Sequence, residues 1–478
     1  MPRHMMRQRI GHFGGWMPQN ATVLKSWLAK KIEQAGDPET NSSSWHSVIR
    51  DFQRLIEDNP EIYKGFHEMF TQIPPDYEND PTGQPQVENY MSMLNLFDAI
   101  ISEAPGWHYD PENPAANNLV GFPINAVLDW PMGTDAGYAM FINPAVNAQF
   151  KKMFDVWSNY LTSYASTEVL SDCDNGWFGP SATEQLPDFV DTYACDPEDP
   201  TGHYGFKSWD HFFTRLFKPG KREIDPELVG NNAVVHSACE SAVYRVAYDV
   251  QPRDQFWIKG QPYSVMHMLN NDPYAPDFVG GVVFQAFLSA TKYHRWHSPV
   301  SGTVVKTVRV PGTYYAESPT ESFEDARTAD PAGPNLSQSF ITSMAARCLI
   351  FIRAKDPRIG LMCFIGVGMA EVSTCEMVVK EGDAVEKGQE IGMFHFGGST
   401  HCLLFRKETD IKIDDQYIPK NDTDSPEPGL VNTPIRLAPL NQDRPTAKVL
   451  RLEMKRSPSN QMVQKDWYWM SIMWHKRR

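Results

Sequence analysis

The spacing of apolar residues changes character near the middle of the chain. Its first part follows the helical period. Between Ala21 and Gly36, Val23, Trp27 and Ile32 recur with Leu24 and Leu28 at helical spacing. Val48, Phe52, Leu55 and Phe66 carry the pattern from Ser44 to Ile73. Asn59-Pro60 divides that stretch into two helices, because a residue before proline is pushed out of the helical region. Asn89 to Glu103 predicts a further helix, and another follows Asn143-Pro144, with Val146, Phe150, Phe154, Trp157 and Leu161 on one face. Proline-rich connections at 73–85 and 105–114 separate these elements.

From Ala233 the period shortens. VVHSACESAVYRVAYDV, VGGVVFQAFL, GTVVKTVRV, CLIFIRA and GLMCFIGVGMAEV are short runs rich in Val, Ile and Phe, punctuated by glycine. Such spacing predicts a β-sandwich or barrel. VVKEGDAVEKGQEIGMF reads as strand, Gly-Asp turn and strand, as in small swivelling carrier barrels. The expected class is therefore α+β, a helical N-terminal lobe followed by a β-rich core. The expected divisions are an extension at 1–44, the helical lobe at 45–200 and the core at 201–478, with the boundary in the acidic, turn-rich CDPEDPTGH. Just beyond it, Trp209, Phe212, Phe213 and Phe217 predict an aromatic helix face ended by Pro219-Gly220. Residues 316–340, acidic, proline-bearing and poor in apolar side chains, read as a mobile surface loop.

Composition narrows the function. A chain of 478 residues with 41% hydrophobic content can bury a large core, and its formal charge of −15 argues against a nucleic-acid partner. Seven cysteines without a C-x-x-C pair fit buried thiols in a reducing compartment better than a disulfide framework or a zinc site. No stretch approaches the ~18 apolar residues of a membrane-spanning helix. The opening MPRHMMRQRIGHFGGWMP carries Arg3, Arg7 and Arg9 but no apolar centre, so it does not read as a secretory signal. Its poverty in serine and its early proline make a mitochondrial presequence the lesser alternative to a cytoplasmic location.

The candidate chemistry sits in three places. In EIGMFHFGGSTHCLLF, Gly397 and Gly398 precede Ser399 and Thr400, which frees the backbone and leaves the Gly398 carbonyl open to attack by a hydroxyl. In TKYHRWHSPVSGTV, His294 and His297 are three apart, so in an extended segment they face different neighbours. Glu240 is the only acid among the seventeen residues from Asn232 to Tyr248, and a carboxylate buried in a strand needs a partner, for which His297 is available. Serine, histidine and carboxylate could form a hydrolase triad. No G-x-S-x-G elbow is present, however, which leaves a serine that attacks its own backbone.

YHRWHSPVSGTV, FFTRLFKPGKREID and FHFGGST together resemble the phosphatidylserine decarboxylase family, whose self-cleaving motif is Leu-Gly-Ser-Thr. HMLNNDPYAPDF, VPGTYYA and GMAEVSTCE are similar to its soluble fungal branch, and the likeness covers residues 45–405. The resemblance implies cleavage between Gly398 and Ser399 and conversion of Ser399 to a pyruvoyl group, with no pyridoxal phosphate and no metal. It implies His297 as the base, Glu240 as the acid that orients it, and His294 as the acid of the decarboxylation. Glu240 stands where the family has aspartate, and Gly397 where it has leucine. The implied substrate is a free aromatic L-amino acid (tryptophan, phenylalanine or tyrosine), and the two cleaved chains stay associated. Phosphatidylserine as substrate is the alternative, and a non-catalytic carrier-like barrel is one from another class. The C-terminal KDWYWMSIMWHKRR interleaves aromatic and basic residues, as membrane-interfacial segments do.

Overall fold

The computed structural model describes residues 17–18, 21–73, 87–109, 111, 118–253, 263–318, 337–371, 374–396, 399–409, 411, 413–414, 418 and 430–436. Met1–Ala438 forms one compact unit, and Pro439–Arg478 is a second, outside the described residues together with its aromatic-basic tail. Among the described residues no helix is long and apolar enough to cross a membrane.

The helical lobe is built from α1 (Ala21–Ala35), α2 (Ser47–Asp58), α3 (Pro60–Thr71), α4 (Tyr90–Ile100), α5 (Pro123–Met132), α6 (Asp135–Phe141) and α7 (Pro144–Leu161), short helical turns aside. Local sequence starts several of them. Asn59 accepts from Glu61 N at 3.1 Å, with Pro60 in the first turn of α3, and Asn143 accepts from Ala145 N at 2.8 Å ahead of Pro144 in α7. The segment expected to be an extension contains α1, whose Val23, Leu24, Trp27 and Leu28 belong to the lobe's core. α5 and α6 have no counterpart in the periodicity. All ten residues of α5 are buried, and a helix buried on every side has no polar stripe to betray it.

The aromatic stretch after the lobe makes only a five-residue helix, α8 (Trp209–Phe213). Phe217 lies outside it, bridged to Tyr193 and stacked on Tyr293, so the expected four-aromatic helix face is not formed.

The core strands are β1 (Ala242–Tyr248), β2 (Val282–Leu288), β3 (Arg295–His297), β4 (Gly302–Val310), β5 (Arg347–Ala354), β6 (Leu361–Gly368), β7 (Thr374–Met377), β8 (Ala384–Val385), β9 (Glu390–His395) and β10 (Ser399–Phe405). They form a seven-stranded antiparallel sheet in the order β8-β4-β5-β6-β10-β2-β1 and a three-stranded one in the order β7-β9-β3. Alternation along β10 shows what covers each face. Cys402 and Leu404 join the core shared with the helical lobe, whereas Leu403 and Phe405 join a second core with Trp296 and Phe394 of the small sheet. The large sheet is thus covered on both sides.

Two segments depart from expectation. In the strand-turn-strand run only Ala384–Val385 and Glu390–His395 are strand, and β9 pairs with Thr374–Met377 upstream. The expected loop at 316–340 has residues 319–336 outside the described set. Its described ends are buried, and Gln338 opens a helix, α9 (Gln338–Met344), six of whose residues are buried.

Trp296, fully buried, fixes the distance between the two sheets. It packs against Phe364 at 5.1 Å and edge-on to Phe394 at 4.6 Å, with Gly366 and Gly392 on its flanks. A methyl group on Gly392 would run into the indole and the Glu376 carbonyl. Gly392→Ala is expected to lower unfolding free energy by about 1–3 kcal/mol, as overpacking does, measured by urea titration. An unchanged midpoint would show that the indole can shift.

Candidate active site

His294 lies just before β3, its carbonyl accepting from Phe394 N at 3.0 Å. Its imidazole is fully buried and stacked on Phe213 at 4.1 Å. From there an aromatic series continues. Phe213 stacks on Trp209 at 5.0 Å, Trp209 meets Phe396 edge-on at 4.9 Å, and Phe396 meets Trp157 of α7 at 4.4 Å. The series therefore runs from His294 to the residue two before Gly398. Burial, reinforced by the charge of Arg215, holds the His294 pKa well below the ordinary range, so the ring is neutral near pH 7.

His297 occupies the other end of β3, opposite Glu390. Three residues of strand, about 10 Å, separate it from His294. Its Nδ1 lies 2.7 Å from the Gly388 carbonyl oxygen and its Nε2 2.9 Å from Tyr293 Oη. A carbonyl can only accept, so Nδ1 carries the proton and Nε2 accepts from the tyrosine hydroxyl. Burial lowers the pKa of this ring too, with the Gly388 contact opposing. The two histidines have different neighbours, as their spacing implied.

Glu240 does not make the expected hydrogen bond to His297. Its carboxylate, 2% exposed, lies 2.5 Å from Arg222 Nε and 3.5 Å from Tyr193 Oη. A buried carboxylate needs a counter-charge more than a neutral ring. Arg222, in a left-handed conformation (φ 60°) just after the Pro219-Gly220 turn, supplies one. Glu240 still lies close, because its run is tied to β3 by His297 N donating to the Ala238 carbonyl at 2.8 Å, and its charge favours protonation of His297.

Ser399 is the first residue of β10, its backbone in register with Leu288 on one side and Gly368 on the other. Gly397 and Gly398 lie outside the described residues. Phe396, just before them, has φ 43°, which is costly for a bulky residue and is maintained here by the packing of Trp157 and Trp209. Next along β10, Thr400 donates to the Ala286 carbonyl and accepts from Gln285 Nε2, both at 3.0 Å, while Tyr263 Oη donates to Gln285 Oε1 at 2.6 Å. This network is buried and pins the start of the strand.

Sequence reasoning missed Tyr293, Arg222, Tyr193 and Gln285. The first two stand inside the motifs YHRWH and KPGKREID, but their contacts follow only from the fold.

Two family models described as phosphatidylserine decarboxylase match residues 46–186 and 209–421, one over the helical lobe and one over the core. The L-tryptophan decarboxylase of Psilocybe cubensis is 35% identical over 420 residues, 84% of this chain and 90% of that protein. The chain belongs to the phosphatidylserine decarboxylase family, a family of carboxy-lyases. The decarboxylase iboD of Amanita muscaria is 42% identical over 309 residues, 62% of this chain and 87% of that protein. More distantly, phosphatidylserine decarboxylase proenzyme 2 of Oryza sativa is 29% identical over 48% of this chain and 34% of its own. The Psilocybe likeness, at 84% of this chain, takes in much of the helical lobe as well as the core.

The Arg222–Glu240 pair predicts a strong asymmetry. Arg222→Met strands a buried charge and is expected to cost about 3–5 kcal/mol of stability, whereas the double variant Arg222→Met/Glu240→Gln costs far less. Denaturant unfolding of the two variants measures it, and equal losses would mean that the charges are not coupled.

Proposed function

We propose that this chain cuts itself between Gly398 and Ser399, and that the matured enzyme decarboxylates a free aromatic amino acid, tryptophan foremost. The observation that carries the reading is the place of Ser399. It begins a central strand held on both sides, beside an aromatic series that leads to a buried histidine. The name and coverage of the Psilocybe relative support the substrate, and the proenzyme name of the plant relative supports the cut.

In maturation the Ser399 hydroxyl attacks the Gly398 carbonyl, and the acyl group passes from nitrogen to oxygen. Elimination then breaks the Ser399 Cβ–O bond and frees Gly398 as a carboxylate. One water enters and one ammonia leaves, so that residue 399 ends as a pyruvoyl cap. His297, neutral with Nε2 turned to Tyr293, is suited to take the serine proton through that hydroxyl. Glu240 favours the charged ring through its field.

The position fits the group. Residue 399 is already the first of its strand, so a new chain end there removes no register partner of β10. The fragment from 399 onward therefore stays bound through a strand flanked on both sides. A pyruvoyl carbonyl supplies an electron sink for the carbanion left when carbon dioxide departs. In this reading the His294 ring, neutral at rest in its dry site at the end of the aromatic series, relays a proton to the substrate α-carbon, taking one up as it gives one.

Ser399→Ala is expected to stay uncut and inactive. His294→Ala should mature yet lose roughly 10²-fold or more in kcat, as removal of a general acid does. His297→Ala should block maturation. Carbon dioxide release from a panel of L-tryptophan, L-phenylalanine, L-tyrosine and phosphatidylserine vesicles decides the substrate. Turnover of the lipid alone would overturn the amino-acid reading, and failure of His294→Ala to mature would overturn the division between the histidines.

A further inference from the structure

One buried acid takes no part in the chemistry above. Glu371, in the motif GMAEVSTCE, follows the end of β6 and is 3% exposed. Its Oε1 accepts from Ile124 N at 3.0 Å and Asn125 N at 3.5 Å, the first turn of α5, and its Oε2 accepts from Tyr315 Oη at 3.1 Å. The acceptor is needed there. Phe122 at the N-cap of α5 offers no side-chain oxygen, and a wholly buried helix cannot leave its first amides to water. Tyr315 is itself fixed in the helical lobe, its ring 4.9 Å from Phe150 and 6.0 Å from Phe141. The carboxylate thus ties the lobe to the sheet, three residues beyond Gly368, the register partner of Ser399.

The strand opposite the cut is held on the same side. Ala370, left-handed at φ 53°, donates its N–H to the Tyr314 carbonyl at 3.2 Å, and Gly368 donates to the Ala346 carbonyl at 2.9 Å. On the other side of the cut in the chain, Phe396 rests on Trp157 of the same lobe. Both flanks of the Gly398–Ser399 bond therefore lean on the helices.

Resting on the maturation proposed above, we infer that Glu371 is a positioning residue for self-cleavage. By capping α5 it holds the helical lobe against the end of β6 and keeps the backbone opposite Ser399 in the cutting geometry.

The tie is sensitive to pH. Burial pushes the Glu371 carboxyl up to about 7, against the smaller opposing effect of its amide and tyrosine donors. The titratable groups of the segments packed on it are Tyr315 and, one turn along α5, Asp129, which Asn125 Nδ2 approaches at 3.4 Å. No Lys, Arg or His side chain is bonded to Glu371 among the described residues. An acid whose folded pKa is raised favours the folded arrangement while protonated and opposes it once ionised. The contribution of the protonated carboxyl to docking is therefore full below its ordinary value near 4.5, falls as pH rises, and is lost by about pH 7.

The test follows maturation of freshly translated chain from pH 5 to pH 8. Glu371→Gln keeps an acceptor for the two amides but cannot ionise, so at pH 5 it should mature within about threefold of wild type. The ratio of wild-type to Glu371→Gln rates should fall severalfold by pH 8, while Glu371→Ala matures at least tenfold slower at every pH. Glu371→Ala cutting at the wild-type rate, or a wild-type to Glu371→Gln ratio flat with pH, would overturn the role. If Glu371→Ala does not fold, the Glu371→Gln profile carries the test alone. A wild-type chain that never cuts, though folded, would overturn the maturation itself, a result distinct from a cutting chain with a flat ratio.

Discussion

The structure depends on β10 lying inside the large sheet. A strand with hydrogen-bonded neighbours on both sides, and a hydrophobic core on each face, cannot leave without breaking two ladders and two cores at once. Its first residue is Ser399. A break in the chain immediately before such a strand costs little, because the register pairs of β10 begin at Ser399 itself. The same placement lets a reactive group be rigid although it stands at a chain end.

The helical lobe then has a physical purpose beyond covering one face of that sheet. Trp157 supports Phe396, and the first turn of α5 together with Tyr315 grips Glu371. The residues that flank the cut on its own strand and on the neighbouring one are both held by helices. A strained φ at Phe396 is tolerated because bulky rings enclose it. The lobe and the core therefore act as one compact unit, in agreement with the likeness to the Psilocybe protein, which takes in 84% of this chain.

Much of this was legible in the sequence, for identifiable reasons. Asn-Pro pairs mark helix starts because the asparagine caps and the proline is preset for the first turn, and α3 and α7 begin there. The glycine-bounded strands and the motifs around Ser399, His294 and His297 were equally plain. α5 was not, since a helix buried all round has no polar face. The partner of Glu240 was misread because charge compensation is a matter of space. Arg222 is eighteen residues away and reaches the carboxylate only after a left-handed turn. Tyr293 stood beside both histidines in plain view, yet its bond to His297 Nε2 depends on the bend that precedes β3. Nothing in the run GMAEVSTCE singles out Glu371, and only the packing of α5 gives it a role.

The central claim is that Ser399 becomes the end of a second chain and carries a pyruvoyl group. Intact mass spectrometry of the purified, denatured protein tests it most directly. Two species should appear, residues 1–398 and residues 399–478, the smaller of about 9 kDa as 80/478 of 54.3 kDa. The smaller should be about 17 Da, one ammonia, lighter than the same fragment with an N-terminal serine. A preparation that releases carbon dioxide from its substrate while containing only the uncut 478-residue chain would contradict the claim.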